Sequence, residues 1–287
     1  MITPRITVGY DGSPESRIAA QWAAGEAERT HSTLQLVNAY EFAGGSTFYG
    51  VPAQAAVADR AEVLLSDLAV ELRVIHPSID VFGTAVHGNP VQTLVDLGVG
   101  SRLLVVGHRG AGGFAGLLLG SVSQQVALHA SVPVAVVRGR ADAPDGSVLV
   151  GVDGSAASEA ALDLAFEAAR SRRARLLAVR AYVPPTPPGH AGHTPILIPK
   201  DVVVADEQAA LDASLAPWRG KYPTVAVDAE LVAGKAAKVL VERSYQAQLA
   251  VVGSRGHGGF VGLLLGSVGQ QLLHHAACPV VIGHQHD

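Results

Sequence analysis

One glycine-rich stretch occurs twice in this chain, and no other feature constrains the fold as much. Residues 107–121 read GHRGAGGFAGLLLGS, and residues 253–267 read GSRGHGGFVGLLLGS. When the longer segments 105–137 and 251–283 are aligned, 21 of the 33 positions are identical. The repeat period of roughly 140 residues is too long for a solenoid. The sequence therefore predicts two copies of one domain.

The alignment of the copies also indicates where the domains begin and end. Asp11 in the sequence VGYDGS aligns with Asp153 in VGVDGS. Residues 138–146 are polar and rich in turn-forming residues, which is typical of a linker. We therefore expect a first domain over residues 1–140 and a second over residues 147–287, joined by a linker at about 138–146.

Charge and composition narrow the class of protein. The 287 residues carry a formal net charge of −4 and no dense run of basic residues, which argues against nucleic acid as the main partner. The longest apolar runs have the length of strands, and residues 1–8 contain no secretion signal, so we expect no membrane association. The single cysteine, Cys278, fits a reducing compartment and is expected to be an inert core thiol. These features predict a cytoplasmic protein.

Short apolar runs alternate with segments of helical periodicity in each copy, which predicts an α/β fold. In the first copy we expect strands at residues 6–9, 33–40, 81–87, 103–107 and 133–137. In the second copy we expect strands at residues 148–152, 175–182, 225–232, 249–253 and 280–283. Strands separated by helices imply a parallel sheet with helices on both faces.

Ser13 and Pro14 predict the start of the first helix. Serine is a preferred N-cap, and proline is favoured at the first helical position. We expect the helix to continue to about Thr30, with Ile18 and Trp22 among the residues that face the sheet.

Each glycine-rich loop follows a strand and precedes a helix, which is a favourable arrangement for binding an anion. Glycines let the backbone pass close to a ligand, and the free N–H groups at a helix start point towards it. In an open parallel sheet, ligands bind beyond the carboxyl ends of the strands. Asp11 and Gly107 follow such ends in the first copy, as Asp153 and Gly253 do in the second. We therefore expect a nucleotide site in each copy.

Two familiar nucleotide-binding motifs do not match these loops. A P-loop ends in Gly-Lys-Ser or Gly-Lys-Thr, and neither loop contains lysine. A dinucleotide-binding fingerprint would follow the first strand of its unit, whereas here the glycines follow the fourth. Adjacent His274 and His275 would point about 100° apart on a helix, so we expect no metal site there. No arrangement of catalytic residues can be inferred from the spacing.

The complete spacing of the loops carries a resemblance to a known family. The two copies read Gly107-x2-Gly110-x9-Gly120-Ser121 and Gly253-x2-Gly256-x9-Gly266-Ser267. This spacing resembles the ATP-binding signature of the universal stress protein family. The Asp-Gly-Ser segments at Asp11 and Asp153, and the Pro-Val-x-Val endings at Pro133 and Pro279, are also similar to that family. The resemblance extends over nearly the whole chain, as a tandem of two family domains.

The resemblance implies the fold and its assembly. It implies two tandem Rossmann-like domains of the adenine nucleotide α-hydrolase-like type. Each would have a five-stranded parallel sheet of order 3-2-1-4-5 with helices on both faces. Family members pair their domains through strand five, which implies pairing within this chain, and we also expect a homodimer and an unknown protein partner.

The resemblance also implies the ligand and the residues that bind it. The ligand would be ATP, with or without Mg²⁺. Asp11 and Asp153 would contact the adenosine part, and Val37 and Val179 would offer backbone groups to adenine. Ribose and phosphates would be held by Gly107, Gly110, Gly120, Ser121 and Ser123 in the first copy and by Gly253, Gly256, Gly266 and Ser267 in the second. The counterpart of Ser123 is Gly269, which would allow the two sites to differ in affinity.

Three functions remain open at this point. The first is a nucleotide-dependent regulator or sensor in stress response, dormancy or growth control, with at most weak ATP hydrolysis. The second is an enzyme that uses an adenine nucleotide, either a slow ATPase or an adenylating enzyme. The adenylating type would need a motif such as Ser-Gly-Gly-x-Asp-Ser or His-x-Gly-His near the first strand, and neither occurs there. The third is a protein-interaction module with vestigial nucleotide sites. We favour the first.

Overall fold

The computed structural model describes residues 3–41, 51–112, 118–141, 145–184, 199–256 and 265–284. The first half contains β1 (Arg5–Gly9), α1 (Pro14–Thr30), β2 (Thr33–Tyr40), α2 (Val51–Ile75), β3 (Val81–His87), α3 (Pro90–Gly98), β4 (Leu103–Gly107), α4 (Ser121–His129) and β5 (Val134–Val137). The second half contains β6 (Ser147–Gly151), α5 (Ala156–Arg172), β7 (Leu176–Tyr182), α6 (Lys200–Lys221), β8 (Val227–Ala233), α7 (Ala236–Ser244), β9 (Ala247–Gly253), α8 (Ser267–His275) and β10 (Val280–Gly283).

A single sheet runs through both halves, in the order β3-β2-β1-β4-β5-β10-β9-β6-β7-β8. Neighbouring strands within each half are parallel, whereas β5 and β10 pair antiparallel, with Val136 opposite Val280. Each half thus has the strand order 3-2-1-4-5, and the α/β class is confirmed. The two five-stranded sheets join into one ten-stranded sheet, because strand five of each half pairs with strand five of the other, as the pairing expected within the chain implies.

The central position of the two fifth strands explains their composition. Every residue of β5 and of β10 is buried. Their sequences, VAVV and VVIG, are apolar without alternation, as expected for strands that are covered on both faces. An exposed edge of this composition would pair with other chains, so the pairing within the chain protects it.

Helix α1 begins as the sequence predicts, but one of its residues faces outwards. The hydroxyl oxygen of Ser13 accepts a hydrogen bond from the backbone N–H of Ser16, which caps the helix. Trp22 is buried against the sheet, whereas Ile18 is 47% exposed, so the prediction that Ile18 faces the sheet was wrong. The buried face of this helix consists mainly of alanines, which let the helix lie close to the sheet. Ile18 lies outside this buried face.

Buried charges fix the two halves against each other. Glu26 in α1 and Arg172 in α5 form an ion pair in which both side chains are less than a tenth exposed. Arg102 and Glu167 form a second ion pair between the halves nearby. Removing one partner of a buried pair leaves an uncompensated charge, which is strongly destabilising. The relative position of the halves is therefore part of the stable fold.

Cys278 is buried, and burial raises the pKa of its thiol to about 12, so the thiol stays protonated and inert at neutral pH. Within the described part of the chain, no helix is both long and apolar enough to cross a membrane.

Candidate functional site

A cavity of about 450 Å³ opens at the carboxyl ends of β6, β7 and β9 in the second half. All six residues that the sequence assigns to a ligand in this half line it, namely Asp153, Val179, Gly253, Gly256, Gly266 and Ser267. Its apolar wall, which the sequence did not indicate, includes Ala181, Leu240 and Val252. A cavity of this size, with an apolar wall and a few polar groups, is typical of small-molecule sites.

The two aspartates hold the same turn in the two halves. One carboxylate oxygen of Asp11 accepts hydrogen bonds from the N–H of Ser13 at 3.0 Å and from its hydroxyl at 2.6 Å. Asp153 accepts the equivalent pair from Ser155, at 2.9 Å and 2.6 Å. The other oxygen of Asp11, Oδ2, accepts from the backbone N–H of Ala111 at 2.7 Å. Asp11 therefore connects the turn after β1 to the glycine-rich loop after β4.

These donors keep the Asp11 carboxylate ionised. Burial by itself would raise the pKa of Asp11, but the hydrogen bonds from Ser13 and Ala111 outweigh burial and hold the pKa below its ordinary value. A carboxylate with a lowered pKa in the folded state stabilises the fold above its unfolded pKa. That contribution is lost as the pH falls through the folded pKa.

We expect Asp11→Asn to lower the free energy of unfolding at pH 7 by about 1 kcal/mol, because the amide replaces one acceptor oxygen with a donor group. The difference from the wild type should begin to shrink as the pH falls below the ordinary aspartate pKa of about 4. It should vanish once the pH falls below the lowered pKa of the folded protein, where the wild-type carboxyl is also neutral. Urea unfolding at pH 7 and pH 3 measures both effects. Asp67→Asn, at an exposed position of α2, is the control and should change neither value. An equal loss for Asp11→Asn at both pH values would contradict the explanation.

The first glycine of each loop is required by packing between protein elements. A Cβ atom on Gly107 would lie 2.8 Å from the carbonyl oxygen of Glu15, in the first turn of α1. A Cβ atom on Gly253 would lie 2.5 Å from the carbonyl oxygen of Ala157, in the first turn of α5. These glycines therefore let the ends of β4 and β9 pass close to the helices that follow the aspartate turns.

The second glycine of each loop lies against the aspartate carboxylate. A Cβ atom on Gly110 would lie 2.5 Å from Oδ2 of Asp11, and a Cβ atom on Gly256 would overlap Oδ2 of Asp153. The loop can approach the carboxylate this closely only because these residues have no side chain.

The third glycine of each loop leaves room at the start of a helix. The N–H of Gly120 donates to the carbonyl oxygen of His108 at 2.8 Å, and the N–H of Gly266 donates to that of Ser254 at 2.7 Å. Gly120 and Gly266 are the N-caps of α4 and α8, and no side chain of the described residues caps either helix. Ser121 and Ser267 are the first helical residues. Backbone N–H groups at such a helix start are suited to binding an anion.

Ser123 lies underneath the loop, with its hydroxyl donating to the carbonyl oxygen of Gly107 at 2.6 Å. In the second half, a Cβ atom on Gly269 would lie 2.9 Å from Leu265 and 3.5 Å from Ile282. Since the first half has the smaller Val136 where the second has Ile282, the serine-to-glycine difference accompanies a size difference in the strand below it. Ser123 is thus bound to the protein's own backbone.

The strand-two valines also have partners. The carbonyl oxygen of Val37 accepts from the N–H of Tyr10 at 2.8 Å, and that of Val179 accepts from the N–H of Val152 at 2.9 Å. A carbonyl oxygen has a second lone pair, which remains for a further donor. Val179 lines the cavity.

The cations of the two loops differ between the halves. Arg109 donates to the carboxylate of Glu15 at 2.8 Å, whereas Arg255 lines the cavity. Burial lowers the pKa of His108, and the positive charges of Arg109 and Arg138 lower it further, so the imidazole adds no charge at pH 7.

In the part of the chain that the structure describes, no group of three or more His, Cys, Asp or Glu residues is placed to hold a metal ion.

Comparison with known proteins gives a consistent result over the whole chain. The model of the universal stress protein family matches residues 3–138 and 146–284. A universal stress protein of Mycobacterium tuberculosis is 36% identical over 98% of this chain and 96% of its own length. A second protein of that name from the same species is 35% identical over 98% and 97%. The crystal structure of a universal stress protein from Archaeoglobus fulgidus matches 99% of both chains with a TM-score of 0.74, at 19% identity.

Proposed function

We propose, since the chain belongs to the universal stress protein family through both of its halves, that it is an ATP-binding regulator. The observation that supports this proposal best is the cavity of the second half, which brings together the aspartate, the strand-two valine and the glycine-rich loop. We propose the same site in the first half, and we propose that the halves are domains 1–140 and 147–287.

The residues of the cavity fit an adenine nucleotide. The apolar wall suits the face of a base, and the carboxylate of Asp153 can accept hydrogen bonds from ribose hydroxyls. The helix start at Gly266 and Ser267 suits phosphate groups, which carry the negative charge that a helix N-terminus favours. The volume of about 450 Å³ lies within the ordinary range for ligand sites. ATP would supply the base, the ribose and a chain of negative charges to these groups.

In the first half, the corresponding residues are Asp11, Val37, Gly110, Gly120 and Ser121. We assign Gly107 and Ser123 a supporting role there. Gly107 lets the strand pass the helix, and Ser123 holds the carbonyl oxygen of Gly107 from below.

Binding would act on the protein through the aspartate. Oδ2 of Asp11 already accepts from the N–H of Ala111 in the loop. A ribose hydroxyl that donates to the same oxygen competes with this contact, so occupation of the site and the position of the loop are coupled. A ligand shifts a conformational equilibrium by its difference in affinity for the two states. The surface around the loop would then differ between the bound and free forms. A partner protein in stress response, dormancy or growth control would bind one of these forms in preference to the other.

Thermal unfolding with and without ATP tests this proposal. A ligand that binds only the folded state stabilises it by about 2.7 kcal/mol when its concentration is 100 times its Kd. We therefore expect the Tm to rise continuously with the ATP concentration. Inorganic triphosphate, which lacks the base and the ribose, is the control and should raise the Tm much less. A Tm that stays constant up to millimolar ATP would contradict nucleotide binding.

A further inference from the structure

The arginine directly before each loop's second glycine, Arg109 in the first half and Arg255 in the second, has a different environment in the two halves. Arg109 forms an ion pair with Glu15 across a distance of 2.8 Å, and its Nε atom is buried without a hydrogen-bond partner among the described residues. Arg255 lines the cavity and is exposed, and it forms neither an ion pair nor a hydrogen bond with any described residue. The two arginines therefore differ in their availability to a ligand.

A single substitution between the repeats accounts for this difference. The position of Glu15 in the first turn of α1 is occupied by Ala157 in the first turn of α5. Both positions lie directly under the loop, because Gly107 and Gly253 pack against the carbonyl oxygens of these two residues. The first half thus has a carboxylate where the second half has a methyl group.

The carboxylate affects an anionic ligand in two ways. It occupies Arg109 through a charge-assisted hydrogen bond, which is about twice as strong as a neutral one. It also places a negative charge beside the loop, where it repels phosphate groups. The second half has neither effect, and Arg255 can donate to phosphate oxygens with several N–H groups.

We infer, on the basis of the proposed nucleotide site, that Arg255 is a phosphate-binding residue that makes the second half selective for ligands with several phosphates. The first half, with Arg109 held by Glu15, binds the same ligands more weakly and discriminates less by charge. The two sites therefore fill in order as the ATP concentration rises, the second half before the first.

Binding measurements on single sites test this inference. Gly120→Ala and Gly266→Ala serve as backgrounds that leave only the second or only the first site. Isothermal titration with ATP and with adenosine gives the affinities, and adenosine is the probe without phosphate. In the Gly120→Ala background, Arg255→Gln should weaken ATP binding about tenfold, the lower end of the contribution of a hydrogen bond to a charged group. Adenosine binding should change less than about twofold, because the substitution leaves the base and ribose contacts intact.

The reciprocal substitution tests the first half. In the Gly266→Ala background, Glu15→Gln removes the carboxylate and should strengthen ATP binding severalfold while leaving adenosine binding unchanged. Equal effects on ATP and adenosine, or no effect of either substitution on ATP, would overturn the assignment of Arg255. If neither background binds ATP or adenosine while the wild type does, the use of these backgrounds fails, and the same substitutions are then read from the two phases of the wild-type titration. Absence of binding by the wild type itself would overturn the proposed nucleotide site.

Discussion

Replacing Gly107 and Gly253 together by alanine is expected to lower the free energy of unfolding by several kcal/mol. Each added methyl group would lie within 2.8 Å of a backbone carbonyl oxygen, in the first turn of α1 or of α5. Overpacking of this kind costs about 1–3 kcal/mol per site, and backbone atoms have little room to move. Urea unfolding of the double variant and of each single variant measures the loss.

Gly112→Ala is the matched control for these substitutions. Gly112 belongs to the same loop, and a Cβ atom there would meet no atom of the described residues within 4 Å. We expect its free energy of unfolding to stay within about 0.5 kcal/mol of the wild-type value, as for most surface substitutions. If Gly107→Ala were as mild as this control, the close packing of β4 against α1 would not be the reason for the glycine.

Replacing Gly120 and Gly266 together by alanine should have the opposite profile, with a large loss of ATP binding and little loss of stability. Among the described residues, the nearest atom to a Cβ on Gly266 would be 3.6 Å away and the nearest to a Cβ on Gly120, the Cα of Arg109, would be 3.3 Å away, so the fold needs at most a small adjustment. The added methyl group on Gly266 would instead occupy space at the cavity, beside the start of α8. We expect ATP affinity to fall about 100-fold, the equivalent of one or two hydrogen bonds to charged groups.

Isothermal titration with ATP and urea unfolding of the same preparation separate the two effects. The double variant should unfold within about 1 kcal/mol of the wild type, because the added methyl groups make only ordinary or slightly tight contacts. Unchanged ATP affinity in a stable double variant would show that phosphates do not approach the backbone at these glycines.

The repeat and its hydrophobic and capping patterns were sufficient to predict most of the fold. Two strongly periodic copies, with apolar strands and capped helices, predict tandem parallel α/β domains, and the family resemblance added the strand order. The start of α1 followed from Ser13 and Pro14, since capping is a local property of the sequence. Ile18 was assigned to the wrong face because the choice between faces depends on how closely the alanine-rich side of α1 approaches the sheet.

The site was predictable as a set of positions but less so as a set of roles. Gly107, Gly110 and Gly120 are the same residue type in one loop, yet they lie against a helix turn, a carboxylate and an open helix start, respectively. Those surroundings come from other elements and cannot be inferred from spacing. The contact between Glu15 and Arg109 could not be inferred from spacing either. The alignment of Glu15 with Ala157 nevertheless shows that the two halves differ in charge at this position.

Both halves are expected to bind an adenine nucleotide at their glycine-rich loops. Equilibrium dialysis of the purified protein against saturating ATP, followed by denaturation and chromatographic identification of the released nucleotide, measures the number bound per chain. We expect one adenine nucleotide for each half, with the Gly120→Ala and Gly266→Ala variants each losing one. Release of no nucleotide above the dialysis background would contradict it, and so would full binding by the double variant.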